Sequence, residues 1–236
     1  MCNRLWSPEE VPKGTSLFLF YDIIVLVNYM EYLDIYDENG NYLGKEDRNI
    51  VHRDALWHNT VHCWLYDKNG NIYFQIRKDE NKLYTTASGH VKAGETIKEG
   101  FGREVKEEIG IDVNYNEAVL VNVIKFILDK LKKDGTVFRD RAFSNVYVCE
   151  FNGKNSDFDF DDEELNGLVK VNAKDALKLL NKKVEKVNCK KIVRVGSKNK
   201  SNKETLIFDD FLVNEGETAI GKYGEILEKV IELTSK

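Results

Sequence analysis

Three carboxylates and an arginine crowd into one short segment of this sequence, residues 103–108. In a helix, Glu104, Glu107 and Glu108 have i, i+3 and i+4 spacing and share one face. They span an arc of roughly 100°. Carboxylates this close repel one another unless a cation compensates, and Mg²⁺ or Mn²⁺ takes oxygen ligands of this kind. For these residues alone, the alternative is a solvated acidic helix face.

The surrounding residues predict that the carboxylates lie on a helix over residues 94–109. Thr96 and Glu99 fit a capping box, and Gly110 stands where a C-terminal glycine belongs. Four apolar residues fill the arc beside the carboxylates and are predicted to face the core. They are Ile97, Phe101, Val105 and Ile109.

The spacing upstream of the carboxylates makes the pattern specific. Gly89, Glu95 and residues 103–111 match all nine specified positions of the Nudix signature, so the sequence resembles the Nudix hydrolases. The resemblance implies an α+β fold, a mixed β-sheet sandwiched between α-helices (α/β/α). It also implies hydrolysis of a diphosphate linked to another group, in a nucleoside diphosphate or a related compound, with Mg²⁺ or Mn²⁺ as cofactor.

The same resemblance implies roles for the matched residues. Glu104, Glu107 and Glu108 correspond to metal ligands. Glu104 and Glu107 are also catalytic candidates, together with Arg103, which orients a neighbouring glutamate. Gly89, Glu95 and Gly110 are structural residues of the motif. Gly100 and Gly102, which each cost a helix about 1 kcal/mol relative to alanine, are interpreted as positions where the helix lies close to the sheet.

Within the family, residues 30–180 are similar to the branch that contains isopentenyl diphosphate isomerase and hydrolase-like bacterial relatives. Those isomerases bind a metal partly through histidines, and His52, His58 and His90 fall near the corresponding places. The isomerases also carry a catalytic cysteine where this chain has Ser88. That difference and the intact signature favour hydrolysis over an isomerase; a non-catalytic Nudix-fold binding module is a further alternative.

Residues outside the helix are candidates for contacts with the substrate. Basic groups suit charge-assisted hydrogen bonds to a diphosphate. The residues proposed to bind the diphosphate are Arg77, Lys82, His90 and Arg139. Some Nudix subfamilies place the catalytic base in a separate loop, and Glu163 and Glu164 are candidates for it. A solvated acidic loop is the favoured alternative for this pair.

Composition limits the partners of the chain. Its 236 residues are 42% hydrophobic and carry a net charge of −5, so a packed core is predicted and general attraction to nucleic acid is not. Four cysteines without a C-x-x-C pair indicate reduced thiols and a cytoplasmic protein. A small-molecule diphosphate is the predicted partner, with no membrane and no stable nucleic-acid partner; a homodimer is left open.

The predicted organisation has three parts. Residues 30–182 form the Nudix domain, and residues 183–236 a C-terminal extension packed on it. Residues 1–29 are an N-terminal extension or extra strand, because the apolar stretch 17–29 is too short for a membrane span. Whether the native chain begins at Met1 or Met30 is left open. Residues 183–203 are predicted as a weak strand followed by a polar loop.

Overall fold

The computed structural model describes residues 31–132, 135–160, 163–213 and 219–235. The predicted N-terminal extension, residues 1–29, lies outside the described residues.

Eleven strands of the described chain form one sheet. They are β1 (Tyr32–Tyr36), β2 (Tyr42–Asp47), β3 (Trp57–Tyr66), β4 (Asn71–Arg77), β5 (Leu83–Tyr84), β6 (Ala87–His90), β7 (Val119–Leu131), β8 (Val137–Glu150), β9 (Leu165–Asn172), β10 (Lys186–Val195) and β11 (Lys198–Ile207). The main path runs β11-β10-β9-β4-β3-β1-β2, with β8 and then β7 branching from β3. β3 is parallel to β8 and antiparallel to β1 and β6, so the sheet is mixed, as predicted.

Helices cover both faces of this sheet. They are α1 (Arg48–Asp54), α2 (Ile97–Ile109), α3 (Ala173–Leu180) and α4 (Ala219–Thr234). Side chains of β3 alternate between the faces: Cys63 and Leu65 share a core with α2, whereas Trp64 and Tyr66 share a second core with α3 and α4. The predicted α+β fold with an α/β/α arrangement is therefore confirmed.

The cysteines and the lengths of the helices bear on where the described part of the chain could reside. Its three cysteines, Cys63, Cys149 and Cys189, are buried free thiols. No helix among the described residues is both long and apolar enough to cross a membrane.

The lysine-rich segment differs from the sequence prediction. Residues 198–207 form strand β11, so the predicted polar loop is wrong. β11 pairs with β10 from Lys186↔Ile207 to Val195↔Lys198, and β10 pairs with β9 at the edge of the sheet. The polar side chains of β11 are largely exposed, so pairing with a neighbour outweighs the weak strand propensity of the sequence.

Candidate metal and diphosphate site

Helix α2 is fixed at both ends by the residues that predicted it. Thr96 Oγ1 accepts a hydrogen bond from the Glu99 N–H at 3.3 Å, and the Thr96 N–H donates to Glu99 Oε2 at 2.8 Å. Gly110 closes the helix with φ +73°, and a Cβ there would lie 2.7 Å from the Asp159 carbonyl oxygen. The predicted capping box and C-terminal glycine are confirmed.

Gly89 makes room for a carboxylate of this helix. Strand β6 carries Gly89 and pairs with β3 beside α2. A Cβ at Gly89 would overlap the Glu104 carboxylate, so any larger residue would displace Glu104. The spacing between Gly89 and Glu104 thus corresponds to a direct contact.

Gly100 and Gly102, the two glycines inside helix α2, have different surroundings. A Cβ at Gly100 would lie 3.2 Å from Val91 Cγ2, which agrees with close packing of the helix on the chain below. A Cβ at Gly102 would meet nothing within 4 Å. The close-packing interpretation is therefore wrong for Gly102, because the space beside it is open.

Arg103 holds the carboxylates of the motif in one network. Its Nε and Nη2 donate to the two Glu95 oxygens at 2.7 and 2.8 Å, and Nη2 also donates to the His90 carbonyl at 2.8 Å. Its Nη1 donates to Glu104 Oε1 at 2.7 Å and to Glu107 Oε2 at 3.0 Å. Glu95 also accepts from the Lys92 N–H at 2.9 Å, so it links Arg103 to the loop before the helix.

The three α2 carboxylates have different surroundings. The Glu107 side chain is 53% exposed, the Glu104 side chain is 12% exposed, and Glu108 is buried. Burial raises the pKa of Glu104, although the Arg103 guanidinium opposes the shift. Burial also raises the pKa of Glu108 well above its usual value, against the Ser88 N–H that donates to it at 2.9 Å. A cation at this position would relieve the cost of burying these charges.

An open cavity of about 1040 Å³ lies over these carboxylates. Its lining includes Glu104, Glu107 and Glu108, together with Ser88 and His90. Basic side chains stand on its walls: Lys45, Arg48, Arg77, Lys78 and Lys92. The loop residues Glu163 and Glu164 also line it, and the Glu164 charge contributes to the raised pKa of Glu108.

Three histidines cluster beside the cavity, and one of them, His90, lines it. One ligand atom from each of His52, His58 and His90 lies within 4.8 Å of the others. His52 Nδ1 donates to the Arg139 carbonyl and His58 Nδ1 to the Leu56 carbonyl, each at 3.1 Å. In these tautomers both rings present an unprotonated Nε2 to the cluster, where His52 Nε2 lies 3.1 Å from His90 Nε2.

A carboxylate completes this histidine cluster. Asp140 Oδ1 lies 3.5 Å from His58 Nε2, and both atoms are buried without a hydrogen-bond partner among the described residues. Burial lowers the pKa of His58 to about 4 and raises that of Asp140 to about 6. Three neutral imidazoles within 4.8 Å of one another, with a carboxylate 3.5 Å from one of them, suit a divalent metal ion.

A known protein family matches this chain over the region that contains the carboxylate cluster. The family model of the NUDIX domain matches residues 56–189. The chain belongs to the Nudix family. Members of this family generally use divalent cations and act on small-molecule substrates, in keeping with the α2 carboxylates.

Similar proteins come from several bacteria. An uncharacterized Nudix hydrolase of Clostridium acetobutylicum is 32% identical over 165 residues, which are 66% of this chain and 77% of that protein. An isopentenyl-diphosphate Delta-isomerase of Serratia proteamaculans is 26% identical and covers 52% of this chain and 68% of its own length. A crystal structure from Deinococcus radiodurans aligns with TM-score 0.48 and 19% identity, over 64% of this chain and 89% of that one.

The structure does not bring every predicted substrate contact to the cavity. Arg77 and His90 line it, but Lys82 and Arg139 are not among its lining residues. The Lys82 ammonium instead donates to the Asp209 carbonyl, and Arg139 Nη1 donates to the Arg53 carbonyl at 2.9 Å.

Other site residues were not predicted from the sequence. Lys45, Arg48 and Lys92 line the cavity beside α2, and Asp140 reaches the histidines from β8. A lone charged residue in a strand or loop has no local spacing that distinguishes it from surface charge. The parallel pairing of β3 with β8, which sets His58 opposite Ala142, brings Asp140 into place.

Proposed function

We propose that this protein is a divalent-metal-dependent Nudix hydrolase that cleaves the diphosphate linkage of a nucleoside diphosphate or a related compound. The observation that carries the proposal is the Arg103 network, which gathers Glu104 and Glu107 at the cavity beside buried Glu108. Buried carboxylates with raised pKa values favour a bound cation, and the basic side chains that line the same cavity suit a diphosphate.

The residues then have separate tasks. Glu104, Glu107 and Glu108 would hold Mg²⁺ or Mn²⁺, which when bound neutralises diphosphate charge and acidifies water. Arg103 is a positioning residue, because it contacts Glu95, Glu104 and Glu107 at once. Exposed Glu107 or the largely buried Glu104 would take the proton from the attacking water. Glu163 and Glu164 are alternative bases, because both line the same cavity.

We also propose that His52, His58, His90 and Asp140 hold a second divalent ion. The buried His58 Nε2 and Asp140 Oδ1, which lack hydrogen-bond partners among the described residues, support this proposal. A nitrogen-rich ligand set favours Mn²⁺, Fe²⁺, Co²⁺ or Zn²⁺ over Mg²⁺.

The proposed reaction is tested on a panel of compounds, by release of inorganic phosphate from nucleoside diphosphates, and of phosphate monoesters from nucleotide sugars and coenzymes. We expect Mg²⁺-dependent turnover of at least one compound and a loss of at least about 10²-fold in Glu107→Gln. The exposed Glu228→Gln on α4 is the matched control and should retain activity. No turnover of any compound, or full activity in Glu107→Gln, contradicts the proposal.

The second candidate is an isopentenyl-diphosphate-type isomerase. The histidine cluster and the similarity to the Serratia isomerase favour it. Ser88 opposes it, because a hydroxyl is a far weaker acid than the thiol that the resemblance places there. Conversion of isopentenyl to dimethylallyl diphosphate by the wild-type protein would support the isomerase, and conversion by neither the wild type nor Ser88→Cys would exclude it.

A further inference from the structure

Strand β7 presents a long open edge to the surroundings. Among the described residues it pairs with β8 alone, over the register Val119↔Val148 to Leu131↔Val137. Several of its apolar side chains are exposed: Val123 is 47%, Ile127 62% and Leu131 71% exposed. Edges of this kind tend to pair with another strand unless charge or irregularity prevents it.

The hairpin geometry shows which backbone groups of β7 face outward. The Lys132 N–H donates to the Thr136 carbonyl at 2.8 Å, so Lys132 points its backbone groups toward β8. Orientation alternates along an antiparallel strand. The outward residues are therefore Val123, Lys125, Ile127, Asp129 and Leu131.

We propose that β7 pairs with β7 of a second copy of this chain, antiparallel, with the two-fold axis at Ile127. Ile127 then lies opposite its own copy, and Val123 opposite Leu131 of the second copy. Lys125 lies opposite Asp129, and every outward N–H and carbonyl finds a partner. Opposite charges that face each other across strands are stabilising.

Other registers fit less well. A two-fold axis at Lys125 or Asp129 would set like charges directly opposite each other, which is destabilising. An axis at Phe126 or Leu128 would set Lys125 and Asp129 against apolar residues. Each of these shifts also leaves an outward residue at the end of the strand without a partner, so the register centred on Ile127 is the one that this edge favours.

The charge pair gives the sharpest test. Sedimentation velocity of the full chain across the micromolar range should show a reversible dimer. Lys125→Glu alone should weaken the dimer roughly tenfold, because it creates two like-charge pairs with Asp129. Asp129 also pairs with Arg141 of its own chain at 2.9 Å, so the rescue variant neutralises Asp129 and does not reverse its charge. Lys125→Glu/Asp129→Asn should recover most of the loss. An undiminished dimer in Lys125→Glu, or no recovery in the double variant, overturns the proposed register.

Two further variants keep the proposal falsifiable. Ile127→Asp should give a monomer, whereas Leu43→Asp, at a residue 63% exposed on β2, should not. Ile127→Cys should form an intermolecular disulfide on oxidation, because directly opposed Cα atoms lie about 5.5 Å apart; Lys130→Cys and the parent chain are the controls. A wild-type chain that stays monomeric at all concentrations overturns the proposal.

Discussion

At the scale of single residues, the motif and the histidine cluster differ in how far sequence could predict them. Spacing alone places Glu104, Glu107 and Glu108 on one helix face, and the structure sets all three at the cavity. Asp140 belongs to a strand far along the chain and reaches the histidines through β3–β8 pairing. No sequence period encodes that contact, because it depends on which strands become neighbours.

Gly89→Ala tests whether the position of Glu104 matters for activity. The new Cβ would overlap the Glu104 carboxylate and displace it from the cavity. Because misplacement of a reacting group by about 1 Å can cost 10²-fold, we expect a loss of about that size in kcat/KM. Steady-state kinetics measures it, and Gly102→Ala, which meets open space, is the control. Equal activity in both variants would show that the contact is unimportant.

Asp140→Asn tests the second metal site. Removal of the carboxylate should lower the affinity of the histidines for a divalent ion by about 10–100-fold, which is the usual effect of removing a group that supports a metal site. Titration with Co²⁺, followed by its visible absorption, measures the affinity without reference to turnover. The exposed Asp175→Asn on α3 is the control. Unchanged Co²⁺ binding in Asp140→Asn would remove Asp140 from the site.

At the scale of elements, sequence patterns predicted α2 well because its signals are local. The capping box and Gly110 lie within the helix and at its ends, so their hydrogen bonds form between near neighbours. Strand β11 was missed because its evidence is not local. Its polar residues become a strand only through the ladder with β10, which the sequence of β11 does not display.

Gly102→Ala should stabilise the protein by roughly 0.5–1 kcal/mol, because alanine has a higher helix propensity and the added Cβ meets open space. Gly100→Ala should gain less or lose stability, since its Cβ would crowd Val91. Urea unfolding of both variants measures the difference. A destabilised Gly102→Ala would contradict the geometry at this helix.

At the scale of the whole molecule, the C-terminal residues contribute to the same cores as the family region. Leu227 and Tyr223 of α4 are buried with Trp64 and Phe74 on one face of the sheet. Sequence reasoning predicted the layers, because the family resemblance supplied them. For residues 183–236, which lie almost entirely beyond the matched region, it predicted a weak strand and a polar loop within residues 183–203, and the loop is wrong.

Leu227→Ala tests whether α4 is part of the cooperative fold. The side chain is fully buried, so its truncation should lower the free energy of unfolding by about 2–5 kcal/mol. Thermal and urea unfolding should keep a single transition. Glu228→Ala, at the exposed neighbour, should change stability by about 0.5 kcal/mol or less. An unchanged Leu227→Ala would mean that α4 does not stabilise the domain.

The central claim is that water attacks a diphosphate at the α2 carboxylates. The most direct measurement is turnover of the best panel compound in water enriched in heavy oxygen, followed by mass spectrometry of the products. We expect one heavy oxygen in a phosphate product, dependent on Mg²⁺ or Mn²⁺ and lost in Glu107→Gln. Product without the label, or labelled product formed equally with a chelator present, would contradict it.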